Sequence, residues 1–278
     1  MKNKFVKPFV KWAGGKRQLL PKIGKCLPKN YARYYEPFLG GGAVWLALQP
    51  KDYVVSDINS EMINVYQVVK SNLEELLDEL REYPNQSDFY YKTRELDRSP
   101  EFQNISAVKK AARIIYLNKT CFNGLFRVNS QGFFNVPFGN YPNPDIVNEV
   151  SLRAANRFLN EQEGEILSGD FEAILKGAPT NSFVYLDPPY DPVSDSSSFT
   201  GYALGGFDRA EQQRLKAVCD DLNKRGCKFL LSNSATDFIK DLYKEYTIEI
   251  VEASRSINSV ATGRGKVEEV LIRNYDKK

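Results

Sequence analysis

Short apolar runs alternate with segments whose apolar residues recur at helical spacing. Phe183-Val184-Tyr185-Leu186 is an unbroken apolar run of strand length, and Arg33-Tyr34-Tyr35-Glu36 and Tyr53-Val54-Val55-Ser56 read as strands, the latter ending at Asp57. Further strands are predicted at Glu165–Ser168, Lys228–Ser232, Thr247–Val251 and Lys266–Ile272. Helices are predicted from Gly41 onward, over Ser71–Leu80 with a capping box at Ser71 and Glu74, and over Ile105–Asn118 with a stripe of Val108, Ala111, Ala112 and Ile115. A last amphipathic helix, Phe207–Arg225, stops at Gly226, a residue suited to the position after a helix. Seven strands with helices between the early ones predict an α/β fold built on a doubly wound sheet. The rhythm stops between the second and third strands. There a mainly helical insertion ends in an aromatic, Gly- and Asn-rich stretch that reads as a hairpin and long loop up to Pro144. The predicted division is therefore a discontinuous unit, 1–59 with 148–278, and an inserted unit, 60–147. Asp191–Gly206, rich in Ser, Gly and Asp, reads as a loop or a substrate lid.

Composition narrows the chemistry. The 278 residues include no histidine, which removes imidazole bases, most zinc sites and Ser-His-Asp catalysis. The four cysteines (Cys26, Cys121, Cys219, Cys227) form no Cys-x-x-Cys pair and read as free cytoplasmic thiols; no metal is expected. No apolar run approaches the ~20 residues that span a bilayer, and the N-terminus lacks the apolar core of a secretion signal. Net charge is only +3, but the first 35 residues carry ten Lys/Arg and no acid. Residues 102–144 carry five basic residues, again without an acid, interleaved with aromatic rings. Such blocks are a footprint of polyanion binding, against the plainer reading of a solvated basic face.

The run at 183–186 delivers Asp187-Pro188-Pro189-Tyr190. An amino group on an aromatic ring is a poor nucleophile, because its lone pair is delocalised. Asp187 and the carbonyl of Pro188 can accept its two hydrogens and drive the nitrogen toward tetrahedral geometry, while Tyr190 stacks on the ring. The competing reading is a turn in which Asp caps and proline stops the strand. A second motif, Glu36-Pro37-Phe38-Leu39-Gly40-Gly41-Gly42-Ala43, follows the first strand. Its glycines let a nucleotide-like ligand approach the backbone, but Trp45 breaks the phosphate fingerprint. Asp57 at the end of the next strand can bind both hydroxyls of a ribose. Ribose recognition without a phosphate clamp fits S-adenosylmethionine. Lys11-Trp12-Ala13-Gly14-Gly15-Lys16 would then offer an aromatic face and an ammonium for the methionine carboxylate. Its plainer reading is a basic turn with a core tryptophan.

Taken in order, these elements resemble the Dam-type, alpha-group DNA adenine-N6 methyltransferases. The resemblance runs from Lys11 to the final strand near Tyr275. It includes Ser168-Gly169-Asp170-Phe171, Asn123-Gly124-Leu125-Phe126-Arg127-Val128-Asn129 and Phe134-Asn135-Val136-Pro137-Phe138-Gly139. It implies a Rossmann-like methyltransferase fold with 1–59 and 148–278 as the catalytic domain and 60–147 as the target-recognition domain. It implies S-adenosylmethionine as cofactor, held by Trp12, Ala13, Gly14, Lys16, Pro37, Phe38, Gly40, Gly42, Asp57, Asp187 and, at the adenine, Asp170 and Phe171. The resemblance also implies duplex DNA as substrate, with GATC as the expected site and the adenine extruded onto Asp187, Pro188, Pro189 and Tyr190. By the same resemblance Lys11 and Arg127 read guanines, Leu125 and Pro137 meet thymine methyls, Phe122 and Asn123 fill the vacated space, and Lys119 contacts phosphate. Asn140 stands where many members have Arg. A cytoplasmic monomer, with a cognate restriction endonuclease as a candidate partner, completes the expectation. The alternatives are a cytosine-N4 methyltransferase, whose motif more often starts with Ser, a structured-RNA methyltransferase, and a catalytically silent DNA-binding protein.

Overall fold

The structure, a computed structural model, describes residues 2–12, 16–193, 206–254 and 266–276. Ala13 and Gly14, and most of the candidate lid at 191–206, lie outside the described residues. Helix α1 (Leu20–Cys26) precedes β1 (Tyr34–Glu36), α2 (Ala43–Leu48) and β2 (Asp52–Asp57). Then come α3 (Ser60–Ser71), α4 (Leu73–Arg81), α5 (Ser87–Glu95), α6 (Ala107–Thr120) and α7 (Glu149–Glu161). The rhythm resumes with β3 (Glu163–Ser168), α8 (Phe171–Lys176), β4 (Phe183–Leu186), α9 (Arg209–Lys224), β5 (Lys228–Ser234), α10 (Asp237–Leu242), β6 (Thr247–Ser254) and β7 (Lys266–Arg273).

All seven predicted strands form, in the order β3-β2-β1-β4-β5-β7-β6. The first five are parallel, and β7 enters antiparallel between β5 and β6. Every residue of β4 is buried, as a strand covered on both faces requires, which explains its unbroken apolar run. Strand order reverses between β1 and β4, both paired to each other, so the carboxyl ends of β1, β2 and β4 open onto one crevice. Glu36, Asp57 and Asp187 all stand at that rim.

One expectation fails. Ser71 does not cap a helix over 71–80; it is the last residue of α3, and Asn72 (φ −132°, ψ 39°) separates α3 from α4. Two apolar stripes compete here. Met62, Ile63, Val65, Tyr66, Val68 and Val69 are buried on α3, whose cap is Asn59, accepting from Met62 N at 3.1 Å. Leu73, Leu76, Leu77 and Leu80 then form the buried face of α4. Burial decides the boundary, because each stripe forms its own helix.

Helix α6 is capped by Ser106 and buried almost all round from Ala111 to Leu117. Its core is continuous with that of the sheet: Tyr34, Trp45 and Tyr53 belong to the same cluster as Leu76, Leu77 and Tyr116. The stretch after α6 forms a narrow hairpin. Asn135 N donates to Arg127 O (3.1 Å), Asn129 N to Phe133 O (2.9 Å), and Val128 pairs with Phe134. Among the described residues no helix is long and apolar enough to cross a membrane, and no cluster of acidic or cysteine side chains could hold a metal ion. All four cysteines are buried free thiols.

Candidate active site

Asp187 follows the last residue of β4 and keeps 21% of its side chain exposed. Its Oδ1 accepts from Lys16 Nζ at 2.8 Å and from Ser232 Oγ, on neighbouring β5, at 3.1 Å. Its Oδ2 has no partner among the described residues. Burial pushes the carboxyl above its ordinary range, opposed by the Lys16 charge and the Ser232 hydroxyl. The Lys16 ammonium, on a side chain only 6% exposed, also lies 4.6 Å over the Tyr190 ring. The loop after β4 is fixed by bonds that the sequence did not announce. Gln212 of α9 donates to the Pro189 carbonyl (2.8 Å), and Asn233 donates to Gln212 (3.1 Å). Asp191, 1% exposed, binds Thr236 (2.7 Å) and Arg209 (3.1 Å). The Pro188 carbonyl accepts no such bond among the described residues.

The glycine turn after β1 packs on the N-terminal segment. Gly40 adopts φ +45°, and a Cβ there would stand 2.6 Å from Trp12 Nε1, so glycine is needed both for the turn and for the indole. Trp12, half-buried, stacks on Phe126 at 5.1 Å. Gly42 (φ +63°) starts α2, and Pro37 is buried beneath the turn. Asp57 accepts from Gly40 N (2.8 Å) and Asn59 N (2.9 Å), so it ties the turn to the start of α3. Burial raises the Asp57 carboxyl against those two bonds. Beside it Ile58 is 62% exposed, an apolar side chain at the rim that sequence reading passed over. Its signal was position alone, directly after the strand-ending acid. Glu36 was also passed over as a side chain. It is 2% exposed, accepts from the Tyr34 hydroxyl, and burial raises its carboxyl to about 8.

Across the crevice Phe38, half-buried, packs on Phe171 (5.2 Å) and Phe207 (5.7 Å). Asp170 caps α8 and is gripped by both terminal nitrogens of Arg214 (2.9 and 2.7 Å), which hold its carboxyl below the usual range. The same guanidinium lies 4.2 Å over Phe171.

A second group of candidates gathers around the end of α6. Asn118 accepts from Lys11 N (2.7 Å) and donates to Lys11 O (2.7 Å) and Gly124 O (3.2 Å). It thereby joins the N-terminal segment to the turn at 122–124, where Gly124 (φ +62°) leaves no room for a Cβ beside the Lys11 side chain. Lys11 Nζ lies 4.9 Å over the Tyr141 ring, and the Tyr141 hydroxyl accepts from Asn123 N at 2.8 Å. Phe122 is 51% exposed, and Asn123, Pro137 and Asn140 are also exposed; Leu125 is half-buried against the core. Arg127 is oriented by Asn135, whose Oδ1 accepts from Nε at 2.7 Å. Lys119 is half-buried. Burial, with the charges of Lys11, Arg17 and Lys7, holds its ammonium below the usual range against Asp145. Lys11, Lys119, Tyr141 and Asp145 line a cavity of about 330 Å³.

Comparisons with known proteins show the family to which the chain belongs. The profile of the D12 class of N6 adenine-specific DNA methyltransferases matches residues 12–257. The chain is 42% identical over 277 residues to the type II methyltransferase M1.LlaDCHI of Lactococcus lactis subsp. cremoris, covering 99% of this chain and 98% of the relative. It is 42% identical to the type II methyltransferase M.MjaIII of Methanocaldococcus jannaschii, covering 97% and 99%. It is 34% identical to the DNA adenine methylase of Serratia marcescens, covering 95% and 96%. The match takes in the crevice, the loop after β4 and the hairpin surface together, and the chain belongs to the D12 class of N6 adenine-specific DNA methyltransferases.

Proposed function

We propose that this adenine-N6 DNA methyltransferase extrudes its target base onto Asp187, Pro188 and Tyr190, and that it does so within GATC. The observation that carries the reading is the position of Lys16. An ammonium already sits 2.8 Å from Asp187 Oδ1 and 4.6 Å over the Tyr190 ring, so the loop after β4 is built to take N–H donors beside an aromatic face. Lys16 and Ser232 fix Oδ1 and leave Oδ2 to accept one hydrogen of the adenine amino group. The Pro188 carbonyl accepts the other, since Gln212 engages only Pro189. Two acceptors turn the nitrogen lone pair out of the ring, and Tyr190 holds the base plane. Lys16 and Ser232 favour the carboxylate form of Asp187 against the burial that raises it.

The class uses S-adenosylmethionine, and the residues at the rim fit it. Asp57 offers a fixed carboxylate for ribose hydroxyls, Ile58 offers an exposed apolar face for a purine, Phe171 backs the wall from beneath Phe38, and the Phe38–Gly42 turn, with Trp12, forms the floor. The cofactor supplies an electrophilic methyl group. Asp170 would meet its adenine together with Arg214, as one charge-paired wall. Lys16, paired to Asp187, serves the catalytic loop in this reading.

The surface around α6 is read as the DNA interface, with 60–147 as the recognition unit and 1–59 with 148–278 as the catalytic one. Helix α3 would be their common wall, since Gln67 reaches β3 (Ile166 O, 3.2 Å) while the helix packs on α6. Phe122 and Asn123 would enter the gap left by the adenine, Arg127 and Lys11 read guanines, Leu125 and Pro137 meet thymine methyls, and Lys119 binds phosphate. The exposed ring and the oriented guanidinium support these roles. A cytoplasmic monomer acts in this way without metal, and the type II names of two relatives support pairing with a cognate restriction endonuclease. Incubation with unmethylated genomic DNA, then mapping of every methylated adenine, tests the specificity. GATC is expected; another consensus would overturn that assignment and leave the chemistry of the crevice intact.

A further inference from the structure

The Tyr190 ring is held at its far end by a residue of the one strand that runs against the others. Its hydroxyl donates to Glu269 Oε2 at 2.8 Å. Glu269 lies on β7, opposite Ser234 of β5 and Val251 of β6, just ahead of the fully buried Val270, Leu271 and Ile272. A half-buried glutamate is a poor choice for strand formation and costs free energy unless its charge is satisfied. Among the described residues its side-chain hydrogen-bond partner is the Tyr190 hydroxyl. The bond anchors the para oxygen, and because a phenolic O–H prefers to lie in the plane of its ring, the direction toward Glu269 biases that plane, on which stacking depends.

We propose that Glu269 is the positioning residue that sets the plane of the Tyr190 ring for the extruded adenine. The inference rests on Tyr190 being the stacking ring. It explains why the loop after β4 carries tyrosine, whose hydroxyl the stacking itself does not use. It also gives β7 a role in the site, delivering an acceptor from outside the parallel strands.

The test uses the full chain, an adenine duplex for the methylation rate, a matching duplex with 2-aminopurine at the target position for stacking, and the variants Tyr190→Ala, Tyr190→Phe, Glu269→Ala, Glu269→Gln and Tyr190→Phe/Glu269→Ala. Glu269→Ala should lower the single-turnover methylation rate about tenfold, the scale of one hydrogen bond to a charged group. It should also reduce the short-lifetime, ring-stacked component of the 2-aminopurine emission, with the KM for DNA little changed. Glu269→Gln, which keeps an acceptor oxygen, should restore most of both signals. The double variant should be no worse than Tyr190→Phe, since both act through one bond. Additive losses, or a Gln variant as impaired as the Ala variant, would overturn the assignment. If Glu269→Ala melts too low to assay, Tyr190→Phe removes the same bond from the other side, and a wild-type stacked component in that variant overturns it equally. Should Tyr190→Ala leave stacking and rate intact, the reading of Tyr190 itself falls. Should Tyr190→Ala lose both while Glu269→Ala keeps them, only the role of Glu269 falls.

Discussion

Replacing Lys16 by methionine removes the cation paired to Asp187 and keeps an unbranched side chain in a position only 6% exposed. Losing one partner of a buried ion pair typically costs about 3–5 kcal/mol. Asp187 retains 21% exposure and the Ser232 bond, so we place the cost lower, at about 2–3 kcal/mol. At about 2–4 °C per kcal/mol for a chain of this size, the variant should melt about 4–12 °C below the wild type at neutral pH. The pH dependence separates charge from packing. Burial already raises the Asp187 carboxyl, so in the window above its ordinary value the native state binds more protons than the unfolded state. Stability therefore falls as pH rises through that window. Without Lys16 the window extends upward, because a main opposing influence is gone. The melting deficit should then shrink as pH falls and Asp187 protonates. The acidic limb of the single-turnover methylation rate should move to higher pH, since a protonated Asp187 loses acceptor strength. Scanning calorimetry and labelled-methyl transfer across the same pH range measure both. A deficit equal at every pH, with an unmoved acidic limb, would refute the claim that Lys16 acts on Asp187 by charge.

Glu36, raised to about 8 from 4.5 by burial, should make the wild-type melting temperature fall as pH rises between those values, and Glu36→Gln should flatten that slope in calorimetry. Arg127→Ala should relax selectivity at a single base pair by about 1–3 kcal/mol, read from methylation of singly substituted duplexes; uniformly weaker binding to all duplexes would mark a phosphate contact instead. Asn118→Ala removes three bonds that hold Lys11 and Gly124, and should loosen discrimination at the base pair we assign to Lys11 in the same assay; an unchanged selectivity profile would contradict that assignment.

The central strands were legible because burial on both faces leaves a plain mark: β4 is apolar throughout, and acids end β1 and β2 and directly follow β4 at the switch point. The break between α3 and α4 was not legible, because a capping pattern at Ser71 competed with two apolar stripes that only packing could separate. In the candidate site, Asp187, Tyr190 and Asp57 were singled out by motif and position, but their partners could not be read. Lys16 meets Asp187, Arg214 meets Asp170 and Glu269 meets Tyr190 across long sequence separations, through strand order and a loop path that no local pattern encodes. Exposure was equally hidden. Phe122 and Phe126 are chemically alike and four residues apart, yet one is exposed and the other lies under Trp12.

The central claim is that Asp187 accepts the target amino group. It is tested most directly by labelled-methyl transfer to unmethylated duplex DNA by the wild type and by Asp187→Ala, with nucleoside analysis of the product and duplex affinity measured in parallel. The account predicts N6-methyladenine from the wild type and a loss on the order of 10²–10³-fold or more in the variant, with duplex binding largely retained. A variant that methylates at a wild-type rate, or one that loses binding and methylation together, would contradict it.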